Sequence, residues 1–174
     1  MHGYAEVLAL QVETSELDRR EELHDLEVLP AADALRAVAA LVRMAVAEDL
    51  MGGVDVTSVA TVPAEQRSIG TFTSRGHGVI ACLAVAAAAV DAVCGDAASE
   101  VEPVVADGDR VGPGDDVARV TAPTRSLLTA ERTALNLRCH LSGVATLTRR
   151  WADALAGTDC IVRDTRKTTP GLRA

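Results

Sequence analysis

Close to the end of the chain, Asp164-Thr165-Arg166-Lys167-Thr168-Thr169-Pro170-Gly171 gathers two cations, three hydroxyls and a run of backbone N–H groups ahead of a glycine. A loop of that composition suits an anion. Just before it, Cys160-Ile161-Val162 reads as a buried strand, and in barrels of alternating strands and helices the reacting groups gather where strands end. Standing alone, the segment is more simply a solvated strand exit. Lys167 sharpens the case, because 16 of the 17 basic residues are arginine and it is the single lysine. An ammonium is a compact point charge that approaches a phosphate or a developing negative charge from any direction, whereas a guanidinium favours planar, bidentate partners. The plainer account is a chance survivor on a wet face.

A second set, Thr129, Arg132, Asn136 and His140, recurs at helical spacing and offers polar groups either to a pocket or partner or, more plainly, to water. Glu48-Asp49, Gly52-Gly53 and Asp55-Val56-Thr57-Ser58 imitate a metal or acid–base constellation. They read better as a helix end and a turn whose Asx and hydroxyl groups satisfy backbone donors. Asp107-Gly108-Asp109 with Gly112 and Gly114 precedes a strand rather than a helix, which excludes a phosphate loop. Cys82, Cys94, Cys139 and Cys160, spaced by 12, 45 and 21, fit neither a CxxC metal pair nor a dense disulfide framework, so reduced thiols are expected. No histidine belongs to an HExxH motif or stands beside a paired cysteine, and no metal site is expected from motifs.

The elements that position these residues follow from periodicity. Leu35, Val38, Val42 and Ala45 predict a helix from Asp33 to the stop at Gly52-Gly53. Ser68 to Ser74 and Val79 to Leu83 read as two strands, or as a strand entering a helix, and Ala84 to Cys94 as a helix ended by Gly95. Val101 to Val120 alternates short β-type runs with two tight-turn signatures, a hairpin-rich segment. Thr124 or Ser126 is expected to cap a strong helix with Leu127, Ala130, Ala134, Leu137 and Leu141 on its apolar stripe, ended by Gly143. A further helix, with Val144, Leu147, Trp151 and Leu155 on one face, closes at Gly157.

Composition bounds the function. With 48 % apolar and 24 % charged residues, the 174-residue chain is globular over most of its length, one domain of usual size plus a remainder. Its longest apolar run, Val79 to Val90, is too short to cross a bilayer and too internal for a signal peptide, so a soluble, cytoplasmic protein without a membrane partner is expected. The net charge of −8 is concentrated in residues 1–100, which carry 16 acidic against 6 basic groups. An acidic chain with one Phe, one Trp and one Tyr has neither the basic stripe nor the stacking platform of a nucleic-acid binder. A small anionic ligand near the C-terminal part fits better.

Together, Glu48-Asp49-Leu50 with Asp55 to Ser58, Leu127 to Asn136, Leu141 to Thr146 and Asp164 to Ala174 resemble the quinolinate phosphoribosyltransferase family, the carboxylating nicotinate-nucleotide pyrophosphorylases. The likeness runs in order over residues 33–174. It implies an α+β N-terminal sandwich domain, residues 33–143 with a long helix over 126–142, followed at 144–174 by the first elements of an α/β barrel. The barrel is incomplete in this chain, since the 31 residues after Gly143 are far too few to close one. Residues 1–32 form an acidic extension to which no role is assigned. Taken as the whole protein, the chain is expected to turn over little substrate.

The resemblance implies phosphoribosyl transfer from phosphoribosyl pyrophosphate to quinolinate with decarboxylation, giving nicotinate mononucleotide, pyrophosphate and CO₂ for NAD synthesis. Mg²⁺ would accompany the phosphoribosyl pyrophosphate, with its ligands outside this chain. By motif position, Lys167 is the catalytic residue and a substrate contact, Arg166 grips a quinolinate carboxylate and Thr165 supports the loop. Arg132 would reach into the neighbouring subunit's site in a homodimer, and His140 would at most support groups that touch substrate. Three alternatives stand beside this one: a same-fold paralogue with another substrate, such as the molybdenum-transport relative, a non-catalytic fragment, and a binding module. For the last, Val104 to Val120 resembles the hammerhead-like sheet of biotinyl and lipoyl carriers but lacks a lysine at the hairpin tip.

Overall fold

The computed structural model describes residues 31–165 and Lys167. The chain opens with helix α1 (Ala31–Leu50), in which Val38, Val42 and Val46 follow one another at four-residue spacing and join the same core cluster. Helix α2 (Val56–Thr61) is short and depends on its cap: Asp55 Oδ1 accepts the Ser58 N–H at 3.1 Å and Oδ2 accepts the Ser58 hydroxyl at 2.6 Å. This is the Asx-type satisfaction expected of that stretch.

Strands β1 (Arg67–Thr73), β3 (Glu100–Pro103) and β5 (Asp116–Pro123) form an antiparallel sheet ordered β1-β5-β3. The central strand β5 buries Val117, Ala118, Val120 and Ala122, while Val120 lies opposite Gly70 on one side and Val101 on the other. Two shorter strands, β2 (Gly78–Val79) and β4 (Arg110–Val111), pair separately. The turn-forming carboxylates behave as expected, Asp109 accepting the Ala106 N–H and Asp115 the Gly112 N–H, each at 2.8 Å.

Helix α3 (Leu83–Cys94) is built almost wholly of Ala and Val, and these small side chains let it pack closely against α1 and the long helix α4 (Thr124–Ala154). Among the described residues the core consists of three clusters, and Phe72, the chain's one phenylalanine, packs against all of them. Two glycines permit the strands to reach α4: a Cβ on Gly70 would lie 3.1 Å from Leu127 Cδ2, and one on Gly78 only 2.9 Å from Thr146 Oγ1.

Several expectations need correction. Helix α4 runs unbroken for 31 residues through Gly143, in place of a helix over 126–142 and a second one after it. Gly143 has no positive φ, so it does not adopt the left-handed geometry with which a glycine ends a helix. The Thr146 hydroxyl, which accepts the Val79 N–H at 2.8 Å, and the Ser142 hydroxyl, which accepts the Ala81 N–H at 3.2 Å, tie both sides of Gly143 to the same sheet region. Neither Thr124 nor Ser126 caps α4; Pro123 occupies the cap position, and the Thr124 hydroxyl pairs instead with that of Ser68 at 2.7 Å. Cys160-Ile161-Val162 forms no strand, and Cys160 and Ile161 are exposed, because no described neighbour offers a ladder of partners. The acidic extension lies outside the described residues, apart from Ala31 and Ala32, which begin α1 two residues ahead of Asp33. All four cysteines are free, Cys94 buried and Cys139 and Cys160 exposed.

Candidate active site

Arg125, Thr129 and Arg132 follow one another at i, i+4 and i+7 along α4, so they share one face. That face forms a seam with the α1–α2 connection. Arg125 donates from Nε to the Val62 carbonyl at 2.8 Å and from Nη2 to the Val59 carbonyl at 3.1 Å, covering the C-terminal end of α2. One turn on, the Thr129 hydroxyl donates to Asp55 Oδ2 at 3.3 Å. The Ser58 hydroxyl and N–H, with Thr129 adding, hold the Asp55 carboxyl below its ordinary value against the opposing effect of burial. A further turn on, Arg132 Nη1 donates to Asp49 Oδ1 at 2.8 Å.

The two ends of that last pair differ in environment: the Arg132 side chain is 72 % exposed and that of Asp49 only 23 %. Arg132 borders a shallow hollow of about 240 Å³ with Leu128, Glu131, Leu135 and Asn136. The polar stripe read from the sequence therefore divides. Thr129 and Arg132 are engaged within the chain, whereas Asn136 and His140 are exposed, and His140 makes no hydrogen bond among the described residues.

At the far end of the chain, the Thr165 N–H donates to Asp164 Oδ1 at 2.6 Å, and its hydroxyl accepts the Lys167 N–H at 3.3 Å. Thr165 is half-buried and Lys167 exposed. Arg166 lies outside the described residues, as do Thr168 to Ala174. Thr165 and Lys167 thus come together, and no hydrogen bond or ion pair joins either to Arg132 among the described residues. Among the described residues, no three or more His, Cys, Asp or Glu side chains converge in a way that fits a metal ion.

Sequence reading misses the roles of two residues. One is Asp49, which reads only as part of a helix end because its pairing with α4 is not encoded in local spacing. The other is Arg138, 6 % exposed, stacked 4.9 Å above the centroid of Phe72 and with Nε unpartnered. Burial draws its guanidinium below its ordinary value, Cys139 and Asp107 opposing. A signal did exist: Arg138 lies four residues after Ala134 and next to Leu137, within the arc of the apolar stripe. Elsewhere on α4, Asp153 accepts from both Arg110 and Arg149 beside His77 and Arg150, and the Arg110 hydrogen bond is the larger cause that lowers its carboxyl. No helix among the described residues is long and apolar enough to cross a membrane.

Comparison with known proteins places this geometry. The family model for the quinolinate phosphoribosyl transferase N-terminal domain matches residues 55–142, and that for the C-terminal domain matches residues 144–174. The nicotinate-nucleotide pyrophosphorylase [carboxylating] of Mycobacterium leprae is 50 % identical over 76 % of this chain and 47 % of its own length. A chloroplastic protein of the same name from Oryza sativa is 36 % identical over 84 % of this chain and 38 % of its own. Among solved structures, NadC from Streptococcus pyogenes superposes with a TM-score of 0.70 at 35 % identity, covering 82 % of this chain and 47 % of that one. The nicotinate-nucleotide pyrophosphorylase of Francisella tularensis gives 0.71 at 28 % identity, over 79 % and 48 %. The chain spans about half the length of the curated relatives it matches, the M. leprae protein at 47 %. By sequence and by fold, the chain belongs to the quinolinate phosphoribosyltransferase family.

Proposed function

We propose that the protein carrying these residues transfers the phosphoribosyl group of phosphoribosyl pyrophosphate to quinolinate, releasing pyrophosphate and CO₂ and leaving nicotinate mononucleotide for NAD synthesis. The observation that carries the reading is the succession of the family's two domains along one chain, 55–142 and then 144–174. Charge arithmetic supports it. The pyridine nitrogen bonds to ribose C1 as the bond from C1 to pyrophosphate breaks, so negative charge builds on a leaving group while the sugar becomes oxocarbenium-like. Fixed cations hold two polyanionic substrates and stabilise that charge.

In this reading Lys167 approaches the phosphoribosyl substrate at the reacting region, Arg166 grips a quinolinate carboxylate and Thr165 braces the loop through the Lys167 N–H. Arg132, turned to solvent and engaged among the described residues through Nη1 alone, completes the site of a neighbouring subunit in a cytoplasmic homodimer. His140 takes at most a supporting place. Magnesium comes as part of the phosphoribosyl pyrophosphate substrate; no group of three or more His, Cys, Asp or Glu among the described residues could hold it.

The test is turnover by purified 1–174 with quinolinate, phosphoribosyl pyrophosphate and Mg²⁺, with and without a separately expressed remainder of the barrel. Activity only with the remainder is expected. Activity of 1–174 alone would overturn the argument that a closed barrel is needed, and silence in both overturns the quinolinate reading in favour of a paralogue or a non-catalytic chain. Mixing Arg132→Ala with Lys167→Ala then tests the shared site. In a random mixture half the dimers are hybrids with one intact site in two, so roughly a quarter of the wild-type rate returns. No recovery removes the composite site.

A further inference from the structure

Asp49 stands where a helix disfavours it. It lies with Glu48 in the last turn of α1, at the negative end of the helix dipole, and no basic residue shares that turn. The counter-charge comes from across the fold, from Arg132 on α4 at 2.8 Å. The chain that follows Asp49 is pinned to the same face of α4, through Thr129 to Asp55 and through Arg125 to the Val59 and Val62 carbonyls. Asp49 is thus a largely covered carboxylate on a fixed support, facing an arginine whose side chain is otherwise open to solvent.

A guanidinium offers five N–H donors in one rigid plane, and Asp49 takes only Nη1 among the described residues. Nη2 and Nε remain for a partner beside the hollow of Leu128, Glu131, Leu135 and Asn136. An exposed ion pair of this kind adds little to folding stability. Its larger effect is orientational, because tethering one edge of a long, rotamer-rich side chain lowers the entropy lost when the other edge binds.

We propose that Asp49 is a positioning residue: it holds the Arg132 guanidinium by one edge so that the remaining edge meets a planar carboxylate as a preformed fork. The inference rests on the reading that Arg132 serves a neighbouring subunit's quinolinate site. Asp49 touches no substrate; it acts through Arg132 alone. A residue kept against the helix dipole for this purpose sacrifices a little local stability for ligand affinity.

Two measurements test it. On 1–174 itself, the Arg132 side-chain NMR signals should show hindered guanidinium rotation that Asp49→Ala abolishes and Asp49→Glu partly restores, with the circular dichroism spectrum and urea midpoint held or slightly raised. Freely rotating Arg132 in the unmutated chain overturns the proposal. In the catalytic assembly with the barrel remainder, Asp49→Ala should raise KM for quinolinate about five- to tenfold, with kcat and the KM for phosphoribosyl pyrophosphate within about twofold. In an Arg132→Ala background the same change should add nothing. Equal rises in both KM values, or full additivity with Arg132→Ala, would mark a structural role and overturn the proposal. If Arg132→Ala leaves the quinolinate KM unchanged, the shared-site reading fails and the proposal with it. If Arg132→Ala is impaired while Asp49→Ala is not, only the role of Asp49 is lost.

Discussion

Replacing Arg138 by leucine should make this protein more stable. The side chain is 6 % exposed on α4, and its Nε has no hydrogen-bond partner. A buried donor left unsatisfied costs about 1–3 kcal/mol, towards the upper end for a charged group. Against this stand the stacking on Phe72 at 4.9 Å, a contact worth roughly 0.5–2 kcal/mol, and attraction to Asp107, whose Oδ1 already accepts the Leu83 N–H at 3.0 Å. Leucine retains apolar packing in the place of the arginine stem and removes the desolvated charge. The balance favours Arg138→Leu by about 1 kcal/mol, or roughly 2–4 °C in Tm for a chain of this size.

The assay is urea unfolding of purified 1–174 followed by far-ultraviolet circular dichroism, with the slope compared between variants so that a midpoint shift reports stability alone. Two companions separate charge from packing. Arg138→Lys keeps the charge, loses the planar stacking and should fall below the wild type, and Arg138→Ala removes the stem and should fall below Arg138→Leu. A loss of more than about 1 kcal/mol in Arg138→Leu would refute the reasoning. It would mean that stacking and the Asp107 field outweigh the unmet donor, and that the buried cation is a net contributor to the fold.

Gly143→Ala tests the continuity of α4: with helical backbone and nothing within 4 Å of an added Cβ, it should stabilise by about 0.5–1 kcal/mol, whereas a glycine that ended a helix would make it destabilising. Thr146→Val removes the hydroxyl that accepts the Val79 N–H at 2.8 Å and should cost about 1–3 kcal/mol in the same urea assay, with Thr146→Ser close to wild type. Asp55 sets a pH dependence. Its carboxyl is held below the ordinary value in the folded chain, so its stabilising effect is present above about pH 4 and lost as pH falls through the lowered value. The gap in urea midpoint between wild type and Asp55→Asn should be constant at neutral pH and close on acidification; a gap unchanged at pH 2 would remove Asp55 as its source.

The elements whose signals are local were legible in the sequence. The spacing of Val38 and Val42, the turn at Asp107-Gly108-Asp109 and the Asx satisfaction of a backbone donor at Asp55 need only a few neighbours each, and all three stand in the structure, although the turn expected after Asp55 is the short helix α2. The failures share a different origin. Gly143 carries a local stop signal that contacts 60 or more residues away override, since Ser142 and Thr146 bond to Ala81 and Val79 at separations of 61 and 67. Cys160-Ile161-Val162 has the composition of a strand, but a strand exists only in a ladder, and composition does not state whether the ladder is present.

The candidate site divides along the same line. Residue types marked Thr165, Lys167 and Arg132 through motif and singularity, and neither depends on knowing the fold. What sequence did not yield was a relation: Asp49 and Arg132 stand 83 positions apart, and nothing local to Asp49 names its partner. The local signal that a partner is needed is electrostatic. Two acids close a helix that lacks a terminal base, an arrangement the dipole opposes, and the opposition is met from another element. A local rule broken without a local remedy points to a partner elsewhere in the fold, and here that partner is the arginine whose placement a shared active site would most require.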